Sequence, residues 1–370
     1  MTDGQQTPGQ RLQFRICTTH LVDRRLGKVK TLKQINLMVY RRCEVRCNFA
    51  AMLVLLLGMP SVLPADELPA ELTEEWHGVT FVQIRAGEFT MGSDETAVDL
   101  AKAGIDIPDA LPVDDERPAH RVRLSAFRIG KYEVTRGQFR IFVEMSGYRT
   151  EAEKDPKGGW GVNRQKQMPE QHPRYNWTNS GYPQTDDHPV GNVSWNDALA
   201  YCRWMTTEYQ KRGKTITCRL PTEAEWEYAC RAGSTTRFAT GDAALSLNGF
   251  ANLRDASFAA EYPNQDYNQF PAFSFNDGAV FTTVAGKYKA NAFGLHDMHG
   301  NVWEWCGDWY DKKYYSSSPG TDPQGPQTGS SRVLRGSSWD YLLLGARCSD
   351  RSNDLPSYRS DNTGFRVVLR

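Results

Sequence analysis

The chain has 370 residues, with 44 Lys+Arg against 44 Asp+Glu, 39% hydrophobic and 24% charged residues, which excludes a disordered, collagen-like or polytopic membrane chain. Residues 1–65 hold 10 Lys+Arg and 3 Asp+Glu, leaving 34 basic against 41 acidic residues in the remainder, a net of −7. A mildly acidic body lacks the basic surface that phosphate contacts need, so a nucleic-acid partner is excluded.

The strongest apolar run is residues 49–57, FAAMLVLLL, too short to span a bilayer. Arg41, Arg42 and Arg46 precede it and GMPSVLPADELPAE follows. That is the basic, apolar, polar order of a secretory signal peptide. We read 1–37 as an over-extended start, Met38 as the functional start, 38–65 as the signal peptide ending at Ala65, and 66–78 as a linker. The competing readings are a short buried helix or a lone membrane anchor. Export, periplasmic or extracellular, permits disulfides, and removal of the leader leaves no membrane span.

From 79 to 370 there is no long linker, no repeat and no low-complexity tract, so this stretch reads as one domain. Three helices are signalled in chain order. Thr135 with Gln138 forms a capping box ahead of Phe139, Phe142, Val143 and Met145, and Gly147 ends the stripe. Ser194 with Asp197 precedes Ala198, Leu199, Cys202, Trp204 and Met205, closed by Gly213. Thr222 with Glu225 precedes Trp226, Ala229 and Cys230. Strand candidates are short: 79–84, 122–124 with 127–129, 333–334 and 365–369. Ten Trp, 16 Tyr and 16 Phe supply an aromatic core in place of a Val/Ile-rich sheet. These features predict an irregular α+β domain with about three helices and few short strands.

No phosphate-cradling glycine loop, H-E-x-x-H, Cys-x-x-Cys or G-x-S-x-G occurs. His296 and His299 have the spacing to share a helical face and a metal, but flanking Gly294 and Gly300 favour polar loop histidines. Ser337 after Gly336 is a serine without a placed base. Cysteines after residue 65 are Cys202, Cys218, Cys230, Cys306 and Cys348; five is odd, so oxidation leaves at least one free or paired outside the chain. Asn301 and Glu304, with carbonyls between them, form an oxygen set suited to Ca²⁺; the alternative is an aromatic core segment with an incidental acid.

Nine stretches in order resemble the sulfatase-modifying-factor family, founded by the formylglycine-generating enzymes: GEFTMG at 87–92, ERPAH at 116–120, KYEVT at 131–135, HPVGNVSW at 188–195, RLPTEAEWEYACR at 219–231, NAFGLHDMHGNVWEW at 291–305, RGS at 335–337, ARC at 346–348 and GFR at 364–366. The resemblance implies a fold related to C-type lectins, and a sulfatase as a candidate protein or peptide partner. It implies Ca²⁺ as a structural ion on Asn301, the Val302 carbonyl and Glu304, with a second site on Asn252 and Asp277. It places Ser337 and Asn362 in the substrate groove. It also implies a Cys230–Cys348 disulfide, and a second pair whose first member is Cys202 and whose second position is Val367 here.

The family's active enzymes oxidise a substrate cysteine with O₂ and a copper ion on two thiolates. The interval where those thiolates belong, 338–347, reads SWDYLLLGAR. Asp340 stands where the first cysteine is expected, and copper chemistry is not supported. The iron-dependent sulfoxide synthases of the family carry an extra histidine-rich helical domain for which this chain has no room. Three roles stay open: a member of catalytic descent acting on sulfatases, a non-catalytic ligand- or protein-binding domain, or a retroelement-diversified display protein of the same fold. The loop residues Trp339, Asp340, Tyr341, Arg351, Asn353, Tyr358 and Asn362 mix rigid aromatics with charged and amide groups, the composition of a recognition surface.

Overall fold

The structure is a computed structural model that describes residues 71–74, 77–105, 113–263 and 275–370. The leader and the start at Met38 lie outside the described residues. In chain order, β1 (Glu71–Glu74), β2 (Val79–Ile84) and β3 (Gly87–Met91) precede a short α1 (Ala97–Lys102). β4 (His120–Leu124), β5 (Phe127–Gly130), α2 (Arg136–Ser146) and α3 (Glu151–Lys154) follow. A ribbon of β6 (Gly159–Asn163) and β7 (Met168–His172) leads to α4 (Trp195–Lys211), β8 (Cys218–Arg219), α5 (Glu223–Arg231) and α6 (Ala256–Glu261). The chain ends with β9 (Trp303–Trp309), β10 (Arg332–Arg335), β11 (Ser352–Asp354), β12 (Thr363–Gly364) and β13 (Val368–Leu369).

The fold is α+β and irregular. Six α-helices occur among the described residues rather than about three. The extra ones are α1, α3 and α6, each too short to carry an apolar stripe. The strand expected at 365–369 is confined to Val368–Leu369. The residues before it leave the ladder so that the Arg366 side chain can turn inward, bonding the Glu304 carboxylate and the Gly130 carbonyl.

One sheet has the order β1-β2-β5-β13-β8 and the other β11-β10-β9-β12. β13 lies between β5 and β8, with Val368 opposite Ile129 on one side and Arg219 on the other. All three expected capping boxes form, each side-chain oxygen taking the N3 amide and each N3 side chain returning to the cap amide. Gly147 closes α2 at φ 67°, where a Cβ would be strained.

Two aromatic cores result. Phe139 and Phe142 of α2 pack with Tyr201, Cys202, Trp204 and Met205 of α4 and with Trp303 and Trp305 of β9. Trp226 and Cys230 of α5 pack with Val82, Ile129, Cys306, Val333 and Cys348. Between these layers run long loops, pinned by buried arginines. Arg347 makes a two-pronged bond to Glu116 at 2.6 and 2.8 Å. Arg351 does the same to Glu223 at 2.7 and 2.9 Å, and Arg366 to Glu304 at 2.5 and 2.6 Å. Planar forks of this kind fix geometry, and removing one partner of such a buried pair costs about 3–5 kcal/mol.

Candidate functional site

β10 ends in a tight reversal at Gly336 and Ser337. At Gly336 φ is 96°, and a Cβ would lie 2.9 Å from the Trp226 ring, so only glycine lets β10 pass that close to α5. Ser337 follows at φ 71°, a left-handed conformation that costs a non-glycine residue of order 1–3 kcal/mol. Its side chain is fully buried and its hydroxyl has no hydrogen-bond partner among the described residues. A Cβ on Gly345 would stand 3.2 Å from that hydroxyl and 2.7 Å from the Tyr341 ring.

Asp340 sits beyond the reversal, partly buried. Ser338 Oγ donates to its Oδ1 at 2.7 Å, and Asn362 Nδ2 donates to Oδ1 at 3.1 Å and Oδ2 at 3.3 Å. Burial pushes the Asp340 carboxyl up and these donors oppose the rise. Asp361 is 4% exposed, accepts from Ser360 Oγ at 3.0 Å, and leaves Oδ2 unpartnered. Burial, then the Asp340 charge, holds Asp361 well above the usual carboxylate range.

The structure brings Ser337, Asp340, Tyr341 and Asn362 together. Trp339 is next to them but only 3% exposed, in an aromatic cluster with Tyr182, Phe258 and Phe281; its neighbours are these rings rather than the leucines after it. Tyr341 packs edge-on to Trp303. Tyr358 is partly buried against the first core. Arg351 does not face a surface: its guanidinium is spent on Glu223 and lies over Tyr315. Asn353 lies on β11, exposed, opposite Val333.

Copper(I) prefers thiolates, and the donors here are carboxylate, hydroxyl and amide oxygens. The residues present do not fit a copper centre. The thiol pair Cys230 and Cys348 lies in the second core, fully buried, with sulfurs 3.6 Å apart. His299 Nε2 is 4.0 Å from Cys230 Sγ, so three donors converge. The His299 ring is otherwise engaged: Nδ1 donates to the Ala346 carbonyl at 2.8 Å and Nε2 accepts from the Ala239 amide at 3.1 Å. Burial lowers its pKa to about 4, so it stays a neutral structural imidazole. His296 and His299 share no helix; His296 Nδ1 bonds the Tyr288 carbonyl instead.

The oxygen set at 301–304 is more elaborate than its sequence suggests. Glu304 is compensated without an ion, since Arg366 and the Trp226 indole N–H both bond it. Asn301 Oδ1 accepts from the Thr283 amide and Asn252 Nδ2, and Nδ2 donates to Glu133 Oε1 at 3.0 Å. Two carboxylates missed by the sequence reading meet here, Glu133 and Asp297. They face one another, and apart from that contact Glu133 Oε2 and Asp297 Oδ1 have no hydrogen-bond partner among the described residues. Burial raises both, Asp297 to about 6. Three buried carboxylates, Glu133, Asp297 and Glu304, thus share the Arg366 guanidinium. Asn252 touches Asn301 at 3.2 Å and has a buried unpartnered Oδ1. Asp277 instead accepts from the Leu253 amide at 2.9 Å and the Ala279 amide at 2.8 Å, and burial lifts it to about 7.

Residues 67–370 match the family model described as the sulfatase-modifying factor enzyme 1-like domain. The chain is 35% identical over 317 residues to the formylglycine-generating enzyme of Streptomyces coelicolor, covering 78% of this chain and 88% of that protein. It is 32% identical over 314 residues to the inactive C-alpha-formylglycine-generating enzyme 2 of Mus musculus, covering 78% and 84%. Among solved structures, PvdO from Pseudomonas aeruginosa matches with a TM-score of 0.60 and 26% identity, over 82% of this chain and 99% of that one.

Proposed function

The chain belongs to the sulfatase-modifying factor family, and from that premise we propose that it is an exported member without copper-dependent formylglycine-generating activity, whose groove binds a protein or peptide partner. A sulfatase is the partner class favoured by kinship to formylglycine-generating enzymes. The observation carrying the reading is Asp340: an oxygen donor tied to Ser338 and Asn362 stands in a segment, 338–347, that contains no cysteine. A carboxylate supplies neither the soft ligand for copper(I) nor a redox-active thiol. Asp340 and Asn362 offer hydrogen-bonding groups beside the half-buried Tyr341, a mix that suits recognition.

The test is incubation of the purified protein with a Cys-x-Pro-x-Arg peptide, copper and reductant. Mass spectrometry should find the peptide unconverted. Robust copper-dependent aldehyde formation overturns the proposal. Capture of the unconverted peptide that weakens in Asn362→Ala, at unchanged melting temperature, supports the binding role.

Export rests on the order of basic, apolar and small residues at 41–65. The mature protein should begin near Asp66 on N-terminal sequencing, and a cytosolic protein retaining residues 1–60 contradicts this. Two stabilising features accompany export. One is a Cys230–Cys348 disulfide, supported by the 3.6 Å approach of the sulfurs. The other is structural Ca²⁺ at Asn301, the Val302 carbonyl and Glu304, joined by Glu133 and Asp297, with Asn252 and Asp277 as the second set.

A further inference from the structure

We propose that Cys202 and Cys218 form a disulfide joining α4 to β8, which leaves Cys306 as the odd thiol of the five. Cys202 is 1% and Cys218 4% exposed, and both lie in the first core. Their thiols are within hydrogen-bonding reach of each other. Cys218 Sγ also lies 3.7 Å from the sulfur of Met205, three residues after Cys202 on the same helix.

The backbones are held to this approach by one hydroxyl. Thr206 Oγ1 accepts the Cys218 amide at 2.9 Å, and contacts the carbonyls of Cys202 at 3.0 Å and Cys218 at 3.2 Å. A single oxygen therefore spans the helix turn that carries Cys202 and the strand residue that carries Cys218. A bridge needs two backbones close together, and the shared hydroxyl holds these two near one another. The family resemblance puts the partner of Cys202 at position 367, where this chain has a buried valine. Leu369, two residues on, pairs directly with Cys218 in the sheet. The alternative thiol is thus one strand away from the expected one.

Bond formation removes two S–H bonds and makes one S–S bond. The two electrons and two protons pass to a disulfide oxidant such as oxidised glutathione, which leaves as two thiols. Burial raises the Cys218 thiol well above its ordinary range, so exchange occurs while the chain folds, before the core closes. Once formed, the bond is shielded from reductants.

The experiment uses the full chain, denatured and reduced, then refolded in a reduced and oxidised glutathione mixture, so it does not depend on the compartment. Free thiols are blocked with iodoacetamide in denaturant, so that buried ones react, and the protein is digested without reduction. Trypsin cuts between the two cysteines at Arg203, Lys211, Arg212 and Lys214, so a linked pair appears as two joined peptides. We expect Cys202 joined to Cys218 and Cys306 alkylated. In Cys218→Ala, labelling of Cys202 should rise from background to one label per chain. Alkylation of both Cys202 and Cys218 in the parent protein overturns the proposal, whether or not Cys230–Cys348 is linked. Pairing of either with any other cysteine does so too.

Discussion

The Asp308 carboxyl on β9 is 3% exposed and accepts the Glu223 amide at 2.9 Å. Burial, followed by the Glu223 charge, pushes its pKa up from 3.8 to about 8. In the unfolded chain it ionises near 4. Between about pH 4 and 8 the folded state holds a proton that the unfolded state has released, so this group lowers stability as pH rises through that window. Asp308→Asn keeps an acceptor for the amide and cannot ionise. Its stability relative to the parent should therefore improve between pH 4 and pH 8, read by urea unfolding at the two values; a difference independent of pH contradicts the assignment. At this scale the sequence displayed which acids sit near aromatics, as in WEWCGDW at 303–309. It did not display their partners. Glu304 meets Arg366, and Asn301 meets Glu133, because distant strands and loops converge there, and no local spacing encodes such a meeting. Arg351 read as a surface group for the same reason, since Glu223 is 128 residues away.

Helices announced themselves where a cap and an apolar stripe coincide. Thr222 shows how much one cap holds. Its hydroxyl takes the Glu225 amide at 3.1 Å, and Glu225 returns to the Thr222 amide while also pairing with Arg219 of β8. Thr222→Ala should cost about 1 kcal/mol from the lost cap, and Glu225→Ala more, because Arg219 then loses its buried partner. Thermal or urea unfolding of both variants checks the order, and an equal or reversed cost contradicts the shared role of Glu225. The boxes at Thr96 with Asp99 and Thr150 with Glu153 also form, yet the six- and four-residue helices they open were not read, since no apolar period fits so short a segment. β7 was missed because its residues MPEQH are mostly exposed and show no alternation.

For the molecule as a whole, regular structure is sparse and many charged groups are buried between the apolar cores, so stability depends on closures between remote segments. Glu133 and the stretch carrying Asp297 and Glu304 gather acid from two such segments around one arginine. A bound Ca²⁺ would stabilise by mass action in proportion to RT ln(1 + [L]/Kd), about 2.7 kcal/mol at a hundredfold excess over Kd. Chelator should lower the melting temperature by several degrees and added Ca²⁺ restore it, with metal found by elemental analysis. An unchanged melting temperature and no metal contradict the site. The family and the irregular α+β class were legible because nine motifs fall in order along the chain. The burial of Trp339 was not legible, since it depends on Tyr182, Phe258 and Phe281, which approach from two loops and α6.

The place of β13 in the sheet bears on how the molecule is made. Val368 and Leu369 are the inner rungs between β5 and β8, so the sheet has a gap until synthesis passes them. Contacts of such large sequence separation form late and slowly. On a chain emerging from the ribosome this sheet therefore stays open until β13 has cleared the exit tunnel. Shortening by the few residues that include β13 should strand the remainder in a chaperone-bound or degraded form, however intact its helices.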